Sequence, residues 1–151
     1  MSLYKSRKRN LEEAVQETLE TYAGTAIDGV QILLGRDITV QEPTHIRIHA
    51  GSQEPMSGEE DLLLNFRVTC TITVQQSMDR TRDQVDTLDG IVEGYVEQDS
   101  DTIVAALNTC SVPNFGVWEF QPESCEDDID EENRRYLSAY TFSAIVGHAT
   151  Y

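Results

Sequence analysis

The clearest pattern in the chain is Phe66, Val68, Cys70, Ile72 and Val74 alternating with Arg67, Thr69, Thr71, Thr73 and Gln75. Successive side chains of a strand point to opposite faces, so a period of two predicts a long strand with one dry face. Over 65–76 it would run about 40 Å, beyond the usual five or six residues, and one end is expected to project past the core. A neighbouring subunit can pair with such an end. In the stretch 45–49, Ile46 and Ile48 face one way while His45, Arg47 and His49 face the other, as a half-buried strand requires. Short apolar runs precede it at 30–34 and at Ile38 and Val40, with Pro43 as the break. The run 115–120 and the alternating Tyr140, Phe142, Ala144 and Val146 predict the closing strands.

Helical spacing appears in three places. Over 10–22, Leu11, Ala14, Val15, Leu19 and Tyr22 form an apolar stripe, with Glu12, Glu13, Glu17 and Glu20 expected outside. Asn10 followed by Glu13 has the form of a capping box, and Gly24 is a plausible stop. Over 81–96, Val85, Leu88, Ile91, Val92, Tyr95 and Val96 repeat the stripe. A shorter helix capped by Ser100 or Asp101 is expected through Ile103, Val104 and Leu107, ending before Val112-Pro113. The polar stretch 51–61, GSQEPMSGEED, reads as a mobile loop between two strands, and 121–133 carries seven acids as a solvated hairpin. Helices grouped between sequential strands favour an α+β fold, a single domain whose mostly antiparallel sheet is covered on one face by about three helices. Residues 1–9 are expected as a flexible basic arm, because Lys5, Arg7, Lys8 and Arg9 would sit unfavourably at the positive end of a helix dipole. The domain proper is 10–148.

Charge changes this picture more than composition does. The 27 Asp and Glu outnumber 11 Lys and Arg, for a net charge of −16, and no lysine follows Lys8. A surface so negative keeps a protein soluble but strains the compact state unless salt screens it. The pattern looks like that of proteins from extreme halophiles. No run approaches the roughly 20 apolar residues of a membrane helix, and no apolar stretch follows the basic start, so a soluble, non-secreted chain is expected. Cys70, Cys110 and Cys125 lack the CxxC spacing of a zinc site and are read as reduced thiols, Cys70 as a core side chain.

Motifs that would carry chemistry are missing. His45 and His49 on one strand lie about 13 Å apart and cannot share an ion. A calcium loop counted from Asp128 would need Gly at position six and Glu at twelve, where Asn133 and Ala139 stand. There is no GxSxG and no GxxxxGK[ST] loop. No catalytic residue, cofactor or metal is assigned, and the chain is expected not to be an enzyme. Four clustered cations, Lys5 to Arg9, are too few for a main DNA-binding surface.

Taken in order, the helix over 10–22, the Pro43-led strand, the alternating strand 66–74, the helix over 85–96, the strand 117–120, a polar hairpin and the final strand 136–146 resemble the tail terminator, or tail completion, proteins of long-tailed viruses. The resemblance spans residues 10–148 and lies in size and element order, since the family has no catalytic signature. It implies a hexameric ring, a homo-oligomer on top of the tail tube, that stops tube growth and joins the tail to the neck. Its partners would be the tail tube protein and a neck or connector protein, with DNA passing through the lumen without specific binding, and no membrane. Localisation would be the virion's tail-neck junction, after assembly from the host cytoplasm; with the salt signature, the host would be a haloarchaeon. A head-closure stopper, a tube subunit or a cytosolic ligand-binding domain are the alternatives. The candidate partner contacts are Lys5, Arg7, Lys8 and Arg9 in the arm, Glu54 and Met56 in the loop, and Glu126, Asp127, Asp128 and Asp130 in the hairpin. Self-repulsion at −16 predicts that the melting temperature rises between 0.1 and 3 M salt, on the order of the screening that shortens the Debye length severalfold; an unchanged value would refute the salt reading.

Overall fold

The computed structural model describes residues 6–36, 43–55, 66–97, 105, 107 and 115–148. The first helix, α1 (Arg7–Ala23), starts where Ser6 turns its hydroxyl to accept from the Arg9 N–H at 3.1 Å. Arg7, Lys8 and Arg9 are therefore helical and do not belong to an arm. Two local contacts offset their unfavourable place at the dipole: Arg9 pairs with Glu13 one turn on at 3.2 Å, and the Arg7 guanidinium lies 4.1 Å from the centre of the Phe66 ring. Glu13 thus serves an ion pair, where an Asn10 cap was expected. Lys5 lies outside the described residues.

A 3₁₀ turn (Gly24–Ile27) leads into β1 (Gln31–Leu34), followed by β2 (His45–Pro55), β3 (Phe66–Ser77), α2 (Arg82–Glu97), β4 (Phe115–Asp130) and β5 (Arg135–His148). The strands make one sheet in the order β1-β2-β3-β5-β4. Ile46, Ile48, Val68, Cys70, Ile72, Val74, Phe142, Ala144 and Val146 form its dry face and bury against Leu11, Val15, Leu19, Leu88 and Val92 of the two helices. The α+β character holds, but two features of the expected fold do not. The sheet is mixed, because β1 pairs parallel to β2, Gln31 opposite His45 through Leu34 opposite Ile48. Alternation tells which face a residue takes and is silent about strand direction; the ten residues between the two strands are long enough to carry the chain back. Among the described residues the sheet carries two α-helices, not three. Of the segment expected to form the third, Ala105 and Leu107 are described, both helical, with Leu107 fully buried; the rest of it lies outside the described residues.

The long strand also behaves differently from expectation. β3 is paired along its whole length, to β2 on one side and β5 on the other. The β4–β5 hairpin does not project either, since β5 pairs with β3 down to Arg135 opposite Ser77; its acidic arm, expected as a tip, is strand from Gln121 to Asp130 with a turn at 131–134. Nor does a loop begin at Gly51, since Gly51 to Pro55 continue β2 beyond a bulge. Helix α2 begins with a reciprocal cap unremarked in the sequence: the Gln84 N–H donates to Thr81 Oγ1 at 3.2 Å, and Thr81 N–H to Gln84 Oε1 at 3.0 Å.

Glu12, expected on the wet side of α1, is only 4% exposed. Its Oε2 accepts from the Ala50 N–H at 2.8 Å, at the bulge where one extra residue between Ala50 and Gln53 interrupts the ladder to β3. A buried backbone donor released by the bulge is thus satisfied by a charged acceptor from the helix. Replacing Glu12 by Ala is expected to destabilise the fold by about 1–3 kcal/mol, since it strands a buried donor. Glu12→Gln, which keeps an acceptor, should lose less; equal midpoints for wild type and Glu12→Ala in urea unfolding would refute this role.

Candidate interaction surfaces

Two oppositely charged surfaces stand out, at opposite edges of the sheet. The first is a cleft of about 500 Å³ between the start of α1, the end of β1 and the bulge of β2. Lys8 and Arg9 enter it from the helix, Arg36 from the turn after β1 and His49 from β2, while Glu12 forms part of its wall. The backbone makes room for this: Gly35 adopts φ +53°, and a Cβ there would lie 2.8 Å from Glu12 Oε1. Gly35 is held on both sides, its N–H donating to the Ile48 carbonyl at 2.7 Å and its own carbonyl accepting from Arg47 Nη1 at 2.9 Å. Neither Lys8 nor Arg36 has an ion pair among the described residues. By contrast Arg67, Arg82 and Arg134 are matched with Glu119, Asp86 and Asp79 at 3.2–3.6 Å.

The second surface is the β4–β5 hairpin. Every residue of β4 from Gln121 to Ile129 is exposed, and among the described residues Ile129, 59% exposed, is the large apolar side chain left in water. Register places Glu126, Asp128 and Asp130 on one face, opposite Ala139, Leu137 and Arg135, and Cys125, Asp127 and Ile129 on the other. The turn closes through Asp130, whose carboxylate accepts from the Asn133 N–H at 3.1 Å and from its side-chain amide at 2.8 Å. Those bonds hold the Asp130 carboxyl below the usual range. Two bulges, at Trp118/Gln121 and Pro122/Ser124, bend β4 as it leaves the core. Glu119 takes φ 50° in the first of them, and Phe120 turns inward to meet Phe142 at 4.3 Å and Tyr95 edge-on at 6.3 Å.

Where the hairpin passes α2, a polar seam forms beneath it. Gln76, 1% exposed, donates its amide to the Val85 carbonyl at 3.1 Å, and its Oε1 has no hydrogen-bond partner. Asp89 is half-buried beside it, with Oδ1 likewise without a hydrogen-bond partner. Burial pushes the Asp89 carboxyl up, and the charges of Asp127 and Asp86 add to this, although Ser138 and Gln76 lie close enough to favour ionisation in part. Tyr140, whose hydroxyl points at the Asp89 carbonyl at 3.4 Å, is raised by burial and by the Asp89 charge. Burial, then the Glu12 carboxylate, also raises the Cys70 thiol, which suits an inert core position. Cys125 is exposed, Cys110 lies outside the described residues, and no cluster of three or more metal-ligating side chains occurs among the described ones. His45 and His49 occupy the face opposite the core with Arg47 between them; His45 is buried and His49 exposed.

The expected contact residues thus separate. Lys8 and Arg9 meet in the cleft with Arg36 and His49, which sequence reading did not join to them. Arg7 is spent on Phe66, and Glu54 is exposed on β2 opposite Arg67. Glu126, Asp127, Asp128 and Asp130 share the hairpin but point to two faces. Met56 lies outside the described residues. Glu12 was missed, though its spacing of three and seven from Val15 and Leu19 places it on the buried stripe.

The arrangement is an α+β domain with a basic cleft on one side of its sheet and an acidic hairpin on the other. No family model matches the chain, and no curated protein matches it. Among solved structures, the fold is similar to that of a chain in the virion of a native gene transfer agent particle, with a TM-score of 0.53 and 12% identity over 91% of this chain and 94% of that one. At that identity the likeness is one of fold.

Because burial raises the Asp89 carboxyl in the folded state, the native protein holds a proton there, at pH values between the ordinary and the raised one, that the unfolded chain releases. Stability contributed by this group is present at low pH and falls as pH rises from the ordinary carboxyl value to the raised one. Asp89→Asn should therefore raise the melting temperature at pH 7 to 8, with the advantage shrinking toward pH 4. An equal gain at both pH values would show that ionisation is not the cause.

Proposed function

We propose that this chain is a virion structural protein, and specifically a tail terminator that closes the tail tube as a hexameric ring and joins it to the neck. The observation that carries the reading is the fold shared end to end with a virion chain, 91% of one on 94% of the other. It is supported by the element order that resembles tail terminators, and by two charged surfaces at opposite edges of one small domain. The work is binding, without catalysis. Its partners in this reading are the tail tube protein and a neck or connector protein. The −16 body suits a lumen that lets DNA pass without holding it. The protein would assemble from the host cytoplasm into the tail-neck junction, and the absence of lysine after Lys8 favours a salt-loving host.

Light scattering on the purified chain at about 0.15 M and about 3 M salt, where screening differs severalfold, tests the ring. The expected particle is near six times the 17.0 kDa chain mass in at least one condition. A monomer at every salt and protein concentration would overturn the reading.

A further inference from the structure

We propose that ring neighbours join by seating the acidic β4–β5 hairpin of one copy in the basic cleft of the next. This rests on the ring reading above and supplies the contact that reading lacks. In a chain with 11 cations against 27 acids, the cleft gathers Lys8, Arg9 and Arg36 together with His49. Arg9 is shared with Glu13, but Lys8 and Arg36 have no ion pair among the described residues. On the hairpin, Glu126 and Asp128 are exposed on the face turned away from α2, and no cation pairs with them among the described residues. Each surface lacks what the other carries.

Position decides the kind of contact. The cleft lies at the β1–β2 side of the sheet and the hairpin at the β4 edge, with β3 and β5 between them. Surfaces on opposite edges pair one copy with the next in a single direction. Such a head-to-tail contact closes into a ring when its rotation permits. A cleft of about 500 Å³ has the size of an ordinary ligand site and takes a few side chains of a strand. Arginine and carboxylate inside it form charge-assisted bonds, and partly buried pairs are screened much less than exposed ones, so the contact survives salt. Nucleic acid is the other polyanion a basic cleft admits; the charge of the body disfavours it.

Three variants test this: Lys8→Glu with Arg36→Glu, Glu126→Lys with Asp128→Lys, and all four together. Each pair alone should weaken assembly at least about tenfold by light scattering, and the fourfold variant should recover it. Net charge alone predicts something different. The first pair makes the chain more negative and the second less so, which would shift assembly in opposite directions, whereas docking predicts loss in both. Circular dichroism and melting confirm that each variant folds; Lys8→Gln with Arg36→Gln and Glu126→Gln with Asp128→Asn replace any that does not. A ring unaffected by either pair overturns the docking and leaves the ring reading standing. Loss with one pair only, or a fourfold variant that stays as weak as either pair, also overturns it, since docking needs both surfaces. A wild-type chain that never assembles removes the reading and the contact together.

Discussion

One buried carboxylate sets the geometry at the charged end of this molecule. Glu12 reaches from α1 to the Ala50 N–H at the β2 bulge, and in doing so fixes the helix against the sheet at that point. Apolar packing by Leu11, Val15 and Leu19 would hold α1 on the sheet in any case, but it is non-directional and tolerates sliding. A hydrogen bond to one named N–H does not. The same carboxylate demands glycine at position 35, since a side chain there would collide with it. Gly35 in turn ends β1 and turns Arg36 toward Lys8 and Arg9. The helix, the bulge, the strand end and the cleft therefore meet at one contact.

Much of the fold was legible because most of it is amphipathic. The dry face of β3 is the alternation Phe66 to Val74 read directly, and α2 is its apolar stripe. Legibility failed where a residue's role came from tertiary partners. Glu12 reads as solvent-facing by type and as core-facing by position, and only a bulge thirty-eight residues away in sequence resolves the conflict. The direction of β1 depends on a connection, which periodicity does not record. The extent of β4 was hidden for another reason: Gln121 to Asp130 is strand by pairing with β5 alone, without a buried face to write the pattern. A hairpin held by backbone bonds looks, in sequence, like a loop.

The candidate surfaces were half legible. Sequence located the positive charge at the N-terminus and the negative charge near 123–133, because charge runs survive any fold. It could not join Arg36 and His49 to Lys8 and Arg9, since they come from three elements separated by the turn of the sheet. Nor could it tell that Arg7 is engaged by Phe66. Which charges are left uncompensated is a property of the folded molecule, and sequence alone does not record it.

The edge of the sheet carries one more consequence. Among the described residues, the sixteen of β4 lie at the margin of the sheet, with backbone groups on one side that no neighbouring strand occupies in the order β1-β2-β3-β5-β4. Margins of that length invite fibre growth by strand addition. Here Pro122 removes a donor, two bulges break the line, and rows of like charge make the approach of an identical strand repulsive. The acids of the hairpin thus guard it against its own kind, and copies of the chain are kept from uncontrolled amyloid-like stacking.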